Sequence, residues 1–185
     1  MRIIGGEAKG RSIDAPPGRN TRPTLDRIRE NMFNILQADV PGSRVLDLFA
    51  GSGALSLEAL SRGAENAVLT DHDRKAAETE KKNIEKLRYD DRTRVLQCDW
   101  KKAADTLKNE NAKFDLVFLD PPYAMTDLRN VFSSLIPLVH DDTLVVLEHE
   151  AGRQYETGDS FEIIKNRAWG FCAMAVYRIK PTGGE

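Results

Sequence analysis

The fold of this chain is decided by Phe114-Asp115-Leu116-Val117-Phe118-Leu119-Asp120-Pro121-Pro122-Tyr123. The apolar run that opens this stretch is typical of a buried parallel strand. Neither proline can donate a hydrogen bond to a sheet, and each fixes its own φ, so the strand must stop at Asp120. The sequence therefore predicts a stiff loop at the carboxyl end of a strand, which is where open α/β sheets bind their ligands.

Strand-like and helix-like segments alternate on both sides of this stretch. Because alternating βα units form mainly parallel sheets, the pattern predicts a doubly wound α/β fold. The predicted strands are Arg44–Phe49, Asn66–Thr70, Thr93–Gln97, Phe114–Leu119 and Thr143–Glu148, and the predicted helices between them are Ala54–Arg62, Arg74–Leu87, Trp100–Leu107 and Leu128–Leu138.

The two ends of the chain depart from this alternation. Phe161–Arg167 and Cys172–Ile179 follow one another without a helix, which predicts a C-terminal antiparallel hairpin. Arg2–Ile4 and Gly10–Ile13 predict a small N-terminal β-hairpin. A helix is expected to begin with Thr24 as its N-cap. We expect three regions: a basic arm at residues 1–22, the main domain at residues 23–181 and a frayed tail at residues 182–185.

Charge is unevenly distributed along the chain. The first 30 residues hold seven basic and four acidic side chains, although the whole chain carries a formal net charge of -2. A basic end on an acidic body predicts an arm that faces a polyanion, with a solvated surface segment as the alternative interpretation. The candidate phosphate-binding residues are Arg11, Arg22, Arg27 and Arg29.

Composition sets the class of protein. The chain has 185 residues, of which 41% are hydrophobic and 30% charged, as expected for one globular domain. Cys98 and Cys172 lie far apart and lack the spacing of a zinc site. Since no apolar run approaches membrane-spanning length, we expect a cytoplasmic protein with neither a membrane segment nor a structural metal.

The segment from Asp47 to Gly53, Asp-Leu-Phe-Ala-Gly-Ser-Gly, leads from a strand into a glycine-rich turn. The third glycine of the dinucleotide fingerprint is replaced by Ser56. Asp47 would repel a pyrophosphate and attract a cation. These features favour a cationic ligand, such as a sulfonium with an α-amino group, over a dinucleotide.

Two further acids follow the next two predicted strands. Asp71 lies 20 residues after Gly51, where an acid suits the two hydroxyls of a ribose. Asp99 could accept a hydrogen bond from the exocyclic amine of adenine, with Trp100 or His72 against the ring. Each acid taken singly could instead be a helix N-cap. Together with the glycine turn, they predict S-adenosylmethionine as the cofactor.

The Asp120 loop suits methyl transfer to a nucleobase amine. Such an amine is a poor nucleophile because its lone pair is delocalised into the ring. The Asp120 carboxylate and the Pro121 carbonyl could accept its two hydrogens and free that lone pair, while Tyr123 stacks on the base. Attack on the sulfonium methyl would then need mainly alignment and stabilisation of developing charge. A proline-rich turn without function is the alternative.

With these residues assembled, the chain resembles class I S-adenosylmethionine-dependent methyltransferases, and among them the RsmD-type 16S rRNA guanine-N2 methyltransferases. The N-terminal pieces are the most specific to that family. The resemblance rests on Arg2-Ile3-Ile4-Gly5-Gly6, Lys9-Gly10-Arg11, Arg22-Pro23-Thr24, Asp26-Arg27-Ile28-Arg29-Glu30, Asp47-Leu48-Phe49-Ala50-Gly51-Ser52-Gly53-Ala54-Leu55 and Asp120-Pro121-Pro122-Tyr123.

The resemblance implies a seven-stranded Rossmann-like sheet that ends in an antiparallel hairpin. It also implies methylation of one guanine near the decoding region of the 30S subunit, with ribosomal proteins already bound. Separately, we expect the protein to be a monomer. The expected catalytic residues are Asp120, Pro121 and Tyr123; the expected cofactor-binding residues are Asp47, Phe49, Gly51, Gly53, Asp71, His72, Asp99, Trp100 and Asp120; the expected substrate-binding residues are Arg11, Arg22, Arg27, Pro122 and Tyr123.

Three other functions are weighed against this one. DNA adenine-N6 methylation uses the same Asp-Pro-Pro-Tyr chemistry, but the short loops leave no obvious target-recognition insertion. A non-catalytic RNA-binding factor in ribosome assembly could keep a cofactor fold. NAD-dependent redox chemistry is disfavoured by Asp47 and by the missing third glycine.

Overall fold

A computed structural model of the protein describes residues 1–16 and 23–181. Arg22 and the predicted tail at residues 182–185 therefore lie outside the described residues, as does the predicted boundary after residue 22. The described residues form five α-helices and seven strands. The helices are α1 (Pro23–Ile35), α2 (Ala54–Ser61), α3 (Arg74–Leu87), α4 (Trp100–Asn109) and α5 (Arg129–Leu135), and the strands are β1 (Arg44–Asp47), β2 (Asn66–Asp71), β3 (Thr93–Gln97), β4 (Leu116–Leu119), β5 (Leu144–Glu150), β6 (Phe161–Trp169) and β7 (Cys172–Ile179).

The seven strands form one sheet in the order β3-β2-β1-β4-β5-β7-β6. The first five strands are parallel, and β7 runs antiparallel to both β5 and β6. The prediction of a doubly wound α/β fold with a C-terminal hairpin is therefore confirmed. Because β1 lies between β2 and β4, the chain reverses its winding direction there, and the carboxyl ends of these strands open a crevice.

Each face of the sheet carries its own hydrophobic core. One core packs under the N-terminal segment, α1, α2 and α3, and includes Val45, Phe118 and Val146. The other packs under α4 and α5 and includes Leu46 and Val117. Neighbouring residues of one strand thus enter opposite cores, and burial on both faces explains why these strands read as continuous apolar runs.

The predicted N-terminal β-hairpin is present only as a single bridge between two residues. Arg2 and Ser12 form an isolated antiparallel bridge in place of two strands. The backbone N–H of Ile3 donates to the carbonyl of Arg11 at 2.9 Å, and that of Gly10 donates to Ile3 at 2.8 Å. Ile3 and Ile13 are almost fully buried in the core of the body. Residues 1–16 are therefore packed onto the domain.

Helix α1 begins at Pro23, so Thr24 lies in its first turn. The prediction of Thr24 as the N-cap is wrong, because Thr24 lies inside the helix. Proline fits the first helical position, where its missing N–H costs nothing. Helical spacing predicts that Leu25, Ile28, Met32, Ile35 and Leu36 face the core. Ile28, Met32 and Leu36 are buried, whereas Leu25 and Ile35 are partly buried.

The strand bounds differ slightly from those predicted. β1 ends at Asp47 instead of Phe49, because the chain turns there into the glycine loop. β4 begins at Leu116 instead of Phe114. In the part of the chain that the structure describes, no helix is both long and apolar enough to cross a membrane.

Candidate active site

Four acidic residues lie at or just after the carboxyl ends of four neighbouring strands. Asp47 and Asp71 are the last residues of β1 and β2, and Asp99 and Asp120 follow β3 and β4. The strands are neighbours in the sheet and run in parallel. The four acids predicted from separate segments therefore lie at the same edge, as the strand-end argument required.

The glycine loop is anchored by Asp71. The backbone N–H of Gly51 donates to Oδ2 of Asp71 at 3.0 Å. Gly51 and Gly53 adopt φ values of 60° and 78°, which side chains rarely tolerate. A Cβ at Gly53 would lie 2.8 Å from Cδ2 of Leu69, so the Leu69 side chain would have to shift to admit a larger residue.

Asp71 and Asp99 differ in their local roles. The side chain of Asp73, not that of Asp71, caps α3 by accepting from Lys75 N–H at 2.9 Å. Oδ1 of Asp71 accepts from Asp73 N–H at 2.9 Å. The alternative N-cap interpretation is therefore wrong for Asp71. It holds for Asp99, which caps α4 by accepting from Lys102 N–H at 2.9 Å and remains exposed.

The two aromatic candidates, His72 and Trp100, directly follow Asp71 and Asp99 in the chain. His72 is exposed, with its Nδ1 3.6 Å from Oδ1 of Asp71. Trp100 is partly buried and packs against the core under α4 and α5. Both side chains border the strand ends at which an adenine was predicted.

A buried pair of carboxyl groups lies beneath the glycine loop. Asp47 is 1% exposed, and its Oδ2 accepts from the Ser56 hydroxyl at 3.1 Å. Burial raises the pKa of Asp47 to about 7. The same effect, with the neighbouring charge of Asp47, raises the pKa of Glu80 to about 8. Among the described residues, neither carboxylate oxygen of Glu80 has a hydrogen-bond partner.

Sequence reasoning missed Glu80, although a signal was present. Glu80 follows the buried Ala76 by four residues and precedes the buried Ile84 by four, so it falls on the core-facing stripe of α3. Sequence reasoning noted Ser56 only because it stands where the dinucleotide fingerprint has its third glycine. In the structure its hydroxyl donates to Asp47 and so links α2 to β1.

The Asp120 loop directly follows the end of β4, as its two prolines predicted. Asp120 is partly buried, Pro121 is buried and Pro122 is exposed. The Met125 N–H donates to the Pro122 carbonyl at 2.8 Å and closes the turn. Burial raises the pKa of Tyr123 to about 12, with the charges of Glu148 and Asp120 adding to it, so the phenol stays neutral at physiological pH. Its side chain is 44% exposed and able to meet a base.

A cavity of 140 Å³ connects the glycine loop to the Asp120 loop. The N-terminal segment and α1 form one of its walls, so these parts of the chain cover the candidate site. Its lining residues are Met1, Ala15, Pro16, Leu25, Ile28, Arg29, Phe49, Ala50, Ser52, Ala54, Leu55, Asp120 and Glu148.

The arginines predicted to contact phosphate have different surroundings. Arg29 is 5% exposed and bonds to the Arg2 carbonyl and to Asp26. This burial contradicts the prediction that Arg29 contacts an RNA phosphate. Arg11 is exposed, and its guanidinium donates to the carbonyls of Lys86 and Leu87 at the end of α3. Arg27 is exposed in a surface depression of 390 Å³ that Arg2 and Lys9 also line.

Within residues 1–16 and 23–181, no group of three or more His, Cys, Asp or Glu side chains could hold a metal ion. The acids of the sheet edge are therefore not arranged as such a cluster. The absence of a metal from the reaction stays a prediction.

Comparison with known proteins gives consistent matches over nearly the whole chain. The family model described as Conserved hypothetical protein 95 matches residues 1–178. Ribosomal RNA small subunit methyltransferase D of Escherichia coli (strain K12) is 38% identical over 190 residues, which cover 99% of this chain and 92% of that protein.

Solved structures support the fold. The Thermus thermophilus protein TTHA0928 superposes with a TM-score of 0.80 at 31% identity, covering 97% of this chain and 99% of its own. SMU.776, solved in complex with SAH, gives a TM-score of 0.71 at 14% identity, covering 86% of this chain and 50% of that one. At that identity the second likeness shows the fold alone.

Proposed function

We propose, since this chain belongs to the family described as Conserved hypothetical protein 95, that it transfers a methyl group from S-adenosylmethionine to the exocyclic N2 of one guanine in 16S rRNA. The relative from Escherichia coli is named a small-subunit rRNA methyltransferase. The chain is accordingly an S-adenosylmethionine-dependent rRNA methyltransferase. The observation that carries the choice of site is the placement of Asp120 beside the glycine loop, at the edge of the sheet where β1 and β4 are neighbours.

The residues at this edge fit the donor. Gly51 and Gly53 let the backbone approach a ligand closely, and Asp71 keeps acceptor capacity for ribose hydroxyls while it holds the loop. Asp99 can accept from an adenine amine. His72, Trp100 and Phe49 would lie around the ring and the donor's tail. Asp47 is buried and does not line the cavity, and the Ser56 hydroxyl that donates to it joins the end of β1 to α2. Its contribution to donor binding would therefore be indirect.

When bound, the donor supplies an electrophilic methyl group on a sulfonium. The carboxylate of Asp120 and the carbonyl of Pro121 accept hydrogen bonds from the two N–H groups of the guanine amine, which frees the nitrogen lone pair. As the nitrogen takes the methyl group it loses one proton, for which the Asp120 carboxylate is the acceptor at hand. Tyr123 and Pro122 offer an apolar surface on which the base stacks, a contact worth about 1–3 kcal/mol. Since Tyr123 stays neutral, it brings no negative charge to the ring.

The exposed cations near the N-terminus provide a surface for rRNA. Arg27, Arg2 and Lys9 line one depression next to the wall of the candidate site. Arg11 would extend this surface. Arg22, outside the described residues, stays a predicted phosphate contact. Phosphate contacts position an RNA without reading its sequence, so these residues would hold the 30S particle while the Asp120 loop receives the base. We further propose that the protein acts as a monomer in the cytoplasm.

Substitution of Asp120 by Ala tests the function. We expect methyl transfer to 30S particles to fall at least about 100-fold, because one of two acceptors on the amine is lost. Calorimetric affinity for S-adenosylmethionine should stay close to that of the wild type. Asp127→Ala is the matched control, since Asp127 is exposed and pairs with Arg129 outside the lining of the site.

The substrates in this assay separate the competing functions. Labelled methyl transfer is measured with free 16S rRNA, 30S particles and duplex DNA, and the product nucleoside is identified by mass spectrometry. Transfer to DNA adenine alone would reject the proposal. Binding to 30S particles without turnover would support a non-catalytic assembly factor instead.

A further inference from the structure

A second acidic residue, Glu148, lies on the strand next to β4 and lines the same cavity as Asp120. The parallel register of β4 and β5 pairs Phe118 with Val146 and Leu119 with Leu147. Asp120 directly follows the last residue of β4, and Glu148 follows Leu147 on β5. Extending the register by one residue therefore puts their backbones about 5 Å apart. Opposite residues of neighbouring strands point to the same face, and both side chains line the same 140 Å³ cavity.

Glu148 lies on the side of Asp120 that faces away from the glycine loop. In the sheet, β4 separates β1, which carries the glycine loop, from β5, which carries Glu148. Among the charged groups that act on Tyr123, Glu148 has the largest effect and Asp120 the next. Glu148 is therefore close to the proposed base platform, whereas the methyl donor approaches from the β1 side.

The Glu148 carboxylate is held in place from below. Its Oε1 accepts from the Cys172 thiol at 3.3 Å, and Cys172 is fully buried on β7. Burial raises the pKa of Glu148, whereas the hydrogen bond from Cys172 and then the positive charge of Arg29 oppose that change. A carboxylate in such surroundings gains most from a ligand that donates a hydrogen bond to it.

The Watson–Crick edge of guanine offers that donor. Its N1–H lies next to the N2 amine, so a base whose amine meets Asp120 presents N1–H to a neighbouring acceptor. Adenine has a lone pair at N1, which a carboxylate would repel. Side-chain acceptors and donors discriminate between bases in this way.

We propose that Glu148 selects guanine by accepting its N1–H, while Asp120 and the Pro121 carbonyl accept the hydrogens of N2. This inference rests on the proposed function, because it assumes a purine amine at Asp120. It adds a specificity-determining residue to the site and explains a half-buried acid that methyl transfer alone does not require.

Substitution of Glu148 by Gln tests the inference. Guanine methylation in 30S particles should fall about 10- to 100-fold, since a charged hydrogen bond is lost. Affinity for S-adenosylmethionine and the thermal midpoint should stay unchanged. A second substrate is 30S particles that carry 2-aminopurine at the methylated position. This base keeps the N2 amine but has a lone pair at N1 in place of the N1–H, so the wild-type carboxylate should no longer favour it. The amide N–H of the variant can donate to that lone pair, so its relative rate on 2-aminopurine should exceed that of the wild type.

Glu150→Gln is the matched control and should leave the methylation rates of guanine and of 2-aminopurine unchanged. Glu150 lies on the same strand, but it pairs with Arg153 and does not line the cavity. If the wild type methylates guanine N2 and the Glu148 variant matches it on both bases, the inference alone is overturned. A loss of cofactor affinity in the variant would also overturn it, by assigning Glu148 to the donor. Methylation of adenine by the wild type would reject both the inference and the proposed function.

Discussion

Glu58 joins three parts of the chain through one carboxylate. Its two oxygens accept from the backbone N–H groups of Ile4 and Gly5, both at 2.8 Å. Nε of Arg62 lies 2.7 Å and Nε of Arg29 3.7 Å from the same carboxylate, and Glu58 itself has no exposed surface. This single side chain therefore fixes the N-terminal segment, α1 and α2 relative to one another.

The same carboxylate explains why the prediction for Arg29 failed. Composition places Arg29 in a basic segment, and basic segments are usually exposed. The folded chain instead provides a buried partner, Glu58, from a separate helix, and a paired charge can be buried. Only the tertiary structure brings the two together.

Substitution of Glu58 by Ala should destabilise the protein by about 3–5 kcal/mol, because two cations and two backbone donors lose their acceptor inside the protein. Urea unfolding followed by circular dichroism measures this change. Glu78→Ala is a matched control on the exposed side of α3, where its pair with Arg74 is open to water. We expect the control to behave as the wild type; equal effects of the two substitutions would contradict the role given to Glu58.

At the scale of elements, local pattern predicted most of the structure. The bounds of α3, β3 and β7 match the predicted ranges without error. β1 and β4 are each two residues shorter than predicted, because the apolar runs extend beyond the residues that pair in the sheet. The glycine loop was recognised from its spacing, since only glycine adopts positive φ without strain.

Two glycines with positive φ allow a matched test of this loop. Gly53→Ala should destabilise the protein by about 1–3 kcal/mol and weaken cofactor binding, because the new Cβ meets Leu69 at 2.8 Å beside the ligand edge. Gly170→Ala imposes a similar φ in the β6–β7 turn, where a Cβ meets no atom within 4 Å. We expect the control to lose some stability and no cofactor affinity. Calorimetry with S-adenosylmethionine and urea unfolding separate the two effects; a Gly53 variant with wild-type affinity would contradict the placement.

At the scale of the whole molecule, α3 and β1 bring two carboxyl groups together in the interior. The ordinary pKa of Glu80 is 4.5, and folding raises it to about 8. Between these values the folded state holds a proton that the unfolded state has released. The stabilisation that protonated Glu80 contributes to folding is therefore fully present below about pH 4.5 and is lost as the pH rises towards 8.

Substitution of Glu80 by Gln should flatten the pH dependence of stability between about pH 5 and 8, where one such group contributes a slope of up to about 1.4 kcal/mol per pH unit. Urea midpoints of the protein without cofactor, measured across this range, provide the test. Glu85→Gln on the exposed face of α3 is the control and should keep the wild-type slope. A residual slope in the Glu80 variant is expected from Asp47, whose pKa is also raised. An unchanged slope would show that Glu80 is not protonated in the fold.

The sequence by itself determined the α/β class, the βα alternation, the C-terminal hairpin and the identity of the strand-end acids. Each of these follows from residues that are neighbours along the chain, through hydrophobic period, proline and glycine. The tertiary structure decided what those acids and their neighbours face. It buried Arg29 against Glu58, placed Glu80 under the glycine loop and set Glu148 beside Asp120. Such pairings join residues that are far apart along the chain, so they depend on strand order and on the crossing of helices over the sheet. Local patterns do not encode either of these directly.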